Sequence, residues 1–251
     1  MTPLLETKGL TKVYARRGGS REAVHQVSFR LDPGEALAVV GGSGCGKSTL
    51  ARLVTRLTDP TAGEILLNGR PITHLRGGAL RQVRRQVQMV FQTPAASFDP
   101  RQTLADAVAE PLRNAGLSRR QANARALALL AECGLDPALG SRRAAEVSGG
   151  QCQRAAIARA LAIGPQLLVC DEITSALDVT VQQQILALLA KLRAECGLSF
   201  LFISHDLALV QQFCDRVLVM QDGRLVEEGP VTQVLTRPRH PATRALIDAA
   251  L

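Results

Sequence analysis

Apolar residues along the chain gather in short runs that end at turn signals, and the spacing inside each run assigns it an element. Ala23 to Leu31, followed by Pro33-Gly34, and Gly63 to Leu67, followed by Asn68-Gly69, read as short strands joined by tight turns, which predicts an antiparallel layer. From about Thr103 to Leu161 the spacing becomes helical, and Ser118-Arg-Arg-Gln121 fits a capping box ahead of the run Ala122 to Cys133. Leu167 to Cys170 and Phe200 to Ser204 are apolar strands separated by a helix with Ile185, Leu188, Leu189 and Leu192 on one face. Strand, helix, strand at that spacing predicts a parallel sheet. Asp222-Gly223 turns a second hairpin between Val217 and Glu227, and a short helical run follows Pro238.

Composition bounds what these elements can build. A chain of 251 residues that is 46% hydrophobic can bury a substantial core without covalent staples. Its longest useful apolar run, Leu198 to Ile203, falls far short of the ~18 residues that would cross a bilayer. The start MTPLLETKGL lacks a basic segment before an apolar one and does not resemble a signal peptide, so a soluble chain is expected. The six cysteines are scattered, with no Cys-x-x-Cys pair, and read as reduced cytosolic thiols rather than a zinc site or a disulfide framework. A net charge of +8 comes from 26 arginines and four lysines, placed in small groups such as Arg16/Arg17, Arg84/Arg85, Arg119/Arg120 and Arg142/Arg143. Few aromatics and no tryptophan accompany them, which argues against nucleic acid and for a solvated surface or one facing a membrane-bound partner.

Chemistry enters at GGSGCGKS, Gly41 to Ser48, which fits G-x-x-x-x-G-K-[ST], follows the apolar strand Ala36 to Val40 and opens a helix expected over Lys47 to Leu57. In that setting the glycines let backbone N–H groups face phosphates, Lys47 reaches the same oxygens, and the Ser48 hydroxyl can ligate Mg²⁺. In LLVCDE, Leu167 to Glu172, a buried strand emerges on two carboxylates. Successive strand residues point opposite ways, so Asp171 suits the Mg²⁺ shell and Glu172 suits polarising an attacking water. His205, in FLFISHD, ends the next strand on the phosphate side of the sheet, within reach of a γ-phosphate. Gln92 follows the apolar VQMVF run. A second glycine pair, in VSGGQCQRAAIARAL from Val147 to Leu161, leads into an amphipathic helix and makes a second anion-ready helix start.

Together the loop at Gly41 to Ser48, Gln92, SGGQ at Ser148 to Gln151, Leu167 to Glu172, SALD at Ser175 to Asp178 and His205 resemble, in order and spacing, the ATP-binding subunit of an ABC transporter. The resemblance covers nearly the whole chain. It implies an α/β P-loop NTPase (RecA-like) core with an N-terminal antiparallel β layer and an inserted helical subdomain: one ABC-type domain over residues 1–251, with core at 1–92 and 162–251 and the helical signature subdomain at 93–161. It implies ATP and Mg²⁺ as cofactors. The nucleotide ligands it implies are Tyr14 on adenine, Gly41, Gly42, Ser43, Gly44, Cys45, Gly46, Lys47, Ser48 and Thr49 on the phosphates, Ser148, Gly149, Gly150 and Gln151 across a dimer interface, and Asp178. Glu172, His205 and Gln92 would be catalytic, and Ser48, Gln92 and Asp171 would hold the metal.

The implied partners are two transmembrane permease subunits, a second ABC ATPase that is identical or paralogous and whose ATP the signature covers, and indirectly an extracytoplasmic solute-binding protein. The chain would sit peripherally at the cytoplasmic face of the inner membrane. FQTPAASFDPR, SGGQCQR, SALDVTVQQQIL and RHPATRAL resemble the oligopeptide, dipeptide and nickel importer group, and the short tail leans towards the nickel or metallophore branch. Thr93 and Ile173 depart from the group's pattern without removing a phosphate, metal or water ligand. The alternative is an ABC-type ATPase of DNA repair or another non-transport process, but the DNA-repair members place a long coiled coil between the two glycine motifs, and only about a hundred residues separate Lys47 from Ser148 here.

Overall fold

A computed structural model describes residues 2–16 and 19–249, so Arg17 of the first arginine pair lies outside the described residues. Two sheets organise them. Strands β1 (Leu5–Arg16), β2 (Gly19–Leu31), β4 (Ala62–Leu67) and β5 (Arg70–Pro71) form an antiparallel layer in the order β2-β1-β4-β5. Strands β3 (Ala36–Gly41), β6 (Val87–Val90), β7 (Leu167–Asp171), β8 (Ser199–Ile203), β9 (Arg216–Gln221) and β10 (Arg224–Pro230) form the second, ordered β10-β9-β3-β8-β7-β6. It is parallel except for the β9–β10 hairpin.

The antiparallel layer is present but is not built as the turn signals suggest. Pro33-Gly34 does not close a hairpin; it hands the chain from β2 in one sheet to β3 in the other. The antiparallel partner of β2 is β1, which also pairs with β4 and so lies inside the layer. Asn68-Gly69 does turn a hairpin, between β4 and β5.

Helices α1 (Lys47–Val54), α2 (Gly77–Gln86), α6 (Val179–Cys196), α7 (Leu207–Phe213), α8 (Val231–Thr236) and α9 (Pro241–Asp248) accompany the sheets. Between β6 and β7 the chain forms α3 (Leu104–Asn114), α4 (Arg119–Glu132) and α5 (Gly149–Leu161). Ser118 and Gln121 make the expected reciprocal cap of α4. Helix α1 stops earlier than Leu57, because Arg56 adopts a left-handed backbone (φ 55°). The C-terminal helix is pinned by Glu227 on β10, whose carboxylate accepts from the backbone N–H groups of Arg239 (2.9 Å) and His240 (3.0 Å) and from the Thr243 hydroxyl (2.5 Å).

Strand alternation divides the interior in two. Ala36, Ala38, Val40, Phe200 and Phe202 face one way and join the core shared with α3, α4, α5 and α6. Leu37, Val39, Leu201 and Ile203 face the other way and pack with α1 and the antiparallel layer. The four helix residues grouped from their spacing, Ile185, Leu188, Leu189 and Leu192, are all buried in the first core. Burial pushes the Cys133 thiol up to about 12 and raises Cys152, Cys170 and Cys214 as well, so these thiols act as packing groups.

A buried arginine ties α1 to α2. The Arg56 side chain has no solvent exposure; it donates to the Ile72 carbonyl and, at 2.8 Å, to Asp59 Oδ1. Asp59 also accepts from the exposed Arg76, the residue before α2, and Arg84 on α2 donates to the Arg56 carbonyl at 2.7 Å. Arg56→Ala leaves a cavity and an unpaired buried carbonyl, and is expected to cost about 3 kcal/mol. Arg76→Ala removes an exposed partner of the same aspartate and should stay within about 1 kcal/mol. Urea unfolding midpoints check the contrast; equal shifts would contradict it.

Candidate functional site

The carboxyl ends of three parallel strands come level in one row. Val39 on β3 and Asp171 on β7 are both register partners of Ile203 on β8. The segments leaving these strands, at Gly41, Glu172 and Ser204-His205, therefore emerge along one edge of the sheet, where α/β folds bind ligands.

The loop from Gly41 to Gly46 is held by close backbone approach. A Cβ on Gly46 (φ 110°) would stand 2.2 Å from the Ala23 carbonyl oxygen, and one on Gly41 would stand 2.2 Å from that of Met220. Gly46 caps α1 without a side-chain hydrogen bond, which leaves the first N–H groups of the helix free to face an anion. The Lys47 ammonium, nearly buried, donates to the Gly41 and Gly42 carbonyls at 2.8 and 3.0 Å. The Asp222-Gly223 turn supports the loop from behind: the Gly223 N–H donates to the Cys45 carbonyl (3.0 Å), and the Gly223 carbonyl accepts from the His25 N–H (2.8 Å). In the sequence the same turn shows only as the hairpin between β9 and β10.

Ser48 and Asp171 meet directly, with the hydroxyl donating to Asp171 Oδ1 at 3.0 Å. Burial is the largest influence on the Asp171 carboxyl and raises its pKa; Glu172 pushes the same way, while the Ser48 hydroxyl, Arg52 and Lys47 oppose. Glu172 faces elsewhere, but strand alternation is not the reason. Asp171 is the last strand residue, and Glu172 lies beyond it in a left-handed conformation (φ 49°), its N–H bonded to the Ile203 carbonyl at 3.0 Å. Such a backbone costs about 1–3 kcal/mol in a residue other than glycine and collects at functional sites. Gln92 Nε2 donates to Glu172 Oε2 at 2.8 Å, and His205 Nδ1, on a largely exposed ring, lies 3.8 Å from the same oxygen. Gln92 was also expected at the metal; its amide nitrogen here engages Glu172 rather than the Ser48–Asp171 pair.

These residues line a cleft of about 740 Å³ that runs from His205, Glu172 and Gln92 past Lys47, Ser48 and Thr49 to Tyr14 and Arg21. Its size suits a nucleotide. Tyr14 stands at the far end, with the Lys12 ammonium 5.1 Å from its ring centre.

The second group stands apart, for none of Ser148, Gly149, Gly150, Gln151 or Asp178 lines the cleft. Ser148 caps α5, accepting from the Gln151 N–H while Gln151 Oε1 accepts from the Ser148 N–H. Gly150 is sterically fixed, since a Cβ there would come within 2.5 Å of Val181 Cγ1. Asp178, expected at the nucleotide, caps α6 by accepting from the Val181 N–H at 2.9 Å. Phosphate loop and signature thus occupy separate surfaces of one chain.

The ABC transporter family pattern matches residues 24–175, more than half of the chain. The probable peptide ABC transporter ATP-binding protein y4tS of Sinorhizobium fredii is 50% identical over 255 residues, covering 98% of this chain and 72% of that protein. The glutathione import ATP-binding proteins GsiA of Pectobacterium atrosepticum and Salmonella typhimurium are 46% and 47% identical over 98% of this chain, which spans only 41% of their length. Among solved structures, the dimeric post-hydrolysis ATP-binding cassette MJ0796 bound to ADP and Pi superposes with a TM-score of 0.84 at 31% identity, covering 90% of this chain and 98% of that one. The cassette cbiO1 of Clostridium perfringens, part of the transporter complex cbiONQ, gives 0.83 at 28% identity, covering 94% and 92%. Peptide and glutathione stand in the names of these three relatives. Site geometry, family match and relatives aligned along almost the whole length agree: the chain belongs to the ATP-binding subunits of ABC transporters and is an ATPase.

Proposed function

We propose that the chain powers import of a small peptide-class solute, by hydrolysing ATP in a head-to-tail pair of cassettes beneath two membrane subunits. The observation that carries the catalytic part is the division of the two carboxylates, Asp171 on Ser48 and Glu172 on Gln92 and His205. The names of the relatives support a peptide-class cargo over the nickel or metallophore branch.

Gly41 to Thr49 would cradle the triphosphate with N–H groups, and Lys47 would exchange its loop carbonyls for phosphate oxygens. The Ser48 hydroxyl and Asp171 carboxylate, hard oxygen donors on one spot, fit Mg²⁺, which keeps few protein ligands and takes the rest from phosphates and water. Bound there, the ion would neutralise charge developing on the phosphates. Glu172 would orient and deprotonate the attacking water, with Gln92 and His205 fixing its carboxylate and His205 reaching the γ-phosphate. Tyr14 would stack on the base. Ser148, Gly149 and Gly150 would close over the ATP of the partner cassette, identical or paralogous, because their own chain's cleft excludes them.

The route to the membrane would start in a groove of about 720 Å³ lined by Arg81, Arg84, Arg85, Gln88, Ser97, Glu110 and Arg159 among others. Arg159, on the signature helix α5, donates to the Ser97 carbonyl (2.6 Å) and hydroxyl (2.7 Å) and lies 4.5 Å from the Phe98 ring centre. Residues 93–161 would act as a helical subdomain that follows the groove's occupant and carries the signature with it. A cytoplasmic helix of a permease subunit, with acidic groups facing the arginines, is the fitting occupant. Among the described residues no helix is long and apolar enough to cross a membrane, and the chain would sit peripherally on the cytoplasmic side.

Glu172→Gln is expected to lower ATP turnover by ~10²- to 10⁴-fold with ATP affinity retained, whereas Lys47→Ala should weaken ATP binding itself. Turnover assays and calorimetry separate the two; wild-type turnover in Glu172→Gln would reassign the base. Asp171 gives an expectation of opposite sign for stability and function. Its folded pKa is raised above the ordinary 3.8, so the folded chain holds the proton more tightly, and stability falls as pH rises through the folded value. Asp171→Asn should therefore raise the unfolding midpoint of nucleotide-free protein in EDTA near neutral pH while weakening Mg²⁺-dependent ATP binding. A lowered midpoint would contradict the account.

Arg101→Glu, at an exposed residue beside the groove segment, should impair uptake by the reconstituted transporter while the isolated subunit still binds ATP. Asp99→Lys is the less clean variant, since the Asp99 carboxylate also accepts from the Arg101 N–H (2.9 Å) and holds the local turn. Normal uptake by Arg101→Glu would remove this segment from the coupling route.

A further inference from the structure

A loop that offers its N–H groups to a polyanion has to turn its carbonyl oxygens elsewhere, because each one facing a phosphate would repel it. In this chain the Gly41 and Gly42 carbonyls accept from Lys47, that of Cys45 from the Gly223 N–H, and that of Gly46 from the Leu50 N–H inside α1. The Gly44 carbonyl, at the left-handed turn of the loop (φ 74°), accepts from the Arg21 guanidinium at 2.9 Å. Arg21 stands on β2 directly opposite Tyr14 of β1 and lines the same cleft. The antiparallel layer thus touches the phosphate loop through a cationic side chain at one place and through the Ala23 backbone, packed on Gly46, at another.

We propose that Arg21 is a nucleotide-positioning residue. Its guanidinium draws the Gly44 carbonyl towards β2, which keeps that dipole off the phosphates and sets the loop open for the triphosphate. Through its place opposite Tyr14, it also holds the loop in register with the strand that carries the ring. The Gly44 contact is a single charge-assisted hydrogen bond at the phosphate end, so its loss acts on polyphosphate binding whatever base is attached.

The inference rests on the reading of the cleft as the ATP site, and the test keeps the two apart. Affinities of the full chain for ATP and for inorganic tripolyphosphate are measured by calorimetry with Mg²⁺. Arg21→Ala is expected to weaken both by about tenfold, Arg21→Lys to recover most of that loss, and the unfolding midpoint without nucleotide to stay within about 2 °C of wild type. Tyr14→Ala, by contrast, should weaken ATP and leave tripolyphosphate unchanged. If Arg21→Ala weakened ATP alone, the residue would belong to the base end and its role at the loop would be overturned. Wild-type affinity of Arg21→Ala for both ligands would overturn it outright. A wild-type chain that bound neither ligand would sink the ATP-site reading, and the proposal with it.

Discussion

The binding of a polyanion by neutral backbone governs this architecture. N–H groups can converge on phosphate only if their chain curls tightly and its carbonyls find other partners, and a loop so constrained cannot hold itself. Every side of the Gly41–Gly46 loop is accordingly met by another part of the molecule: Met220 of β9 at Gly41, Ala23 of β2 at Gly46, the Gly223 turn at Cys45 and the Lys47 ammonium within. The antiparallel layer, which contributes no carboxylate to the row of strand ends, earns its place as one of these supports.

Level strand ends are the second requirement, and they follow from register. Because Val39, Ile203 and Asp171 share a row, the one or two residues beyond that row on each strand deliver a loop, a histidine and a glutamate to one edge. Packing on both faces of the sheet, with alternate residues in two cores, leaves these strands little freedom to slip: a one-residue shift would exchange the sets facing the two layers. The chemistry at the edge is therefore only as precise as the apolar alternation beneath it.

Local signals were legible in the chain. The phosphate loop with its preceding strand, the reciprocal cap at Ser118 and Gln121, the β7-α6-β8 unit and the two-residue hairpins depend on neighbours a few positions away, and the spacing shows them. What escaped depends on contacts between distant segments. Pro33-Gly34 reads the same whether it returns the chain to its own sheet or passes it to another, and the choice rests on which core accepts β3. Arg56, one arginine among many, gives no sign in the sequence that it is buried, nor does the Asp222-Gly223 turn announce that it braces a loop far away in the chain. Divergence of Asp171 and Glu172 was anticipated, but through strand alternation, whereas a left-handed backbone after the strand produces it.

The burial of Arg56 has a consequence for ionic strength. Charges at the surface lose most of their mutual attraction beyond a Debye length, about 8 Å at physiological salt and about 3 Å at 1 M, while buried pairs are screened far less. Three of the groove arginines, Arg81, Arg84 and Arg85, sit on α2, whose tie to the phosphate-loop helix runs partly through the Arg56 guanidinium, which has no solvent exposure. In the proposed complex, added salt should thus loosen the groove from acidic groups of a permease helix while the buried contact of Arg56 with the Ile72 carbonyl persists, so that leaving the membrane and losing the nucleotide site would be separate events along a salt gradient.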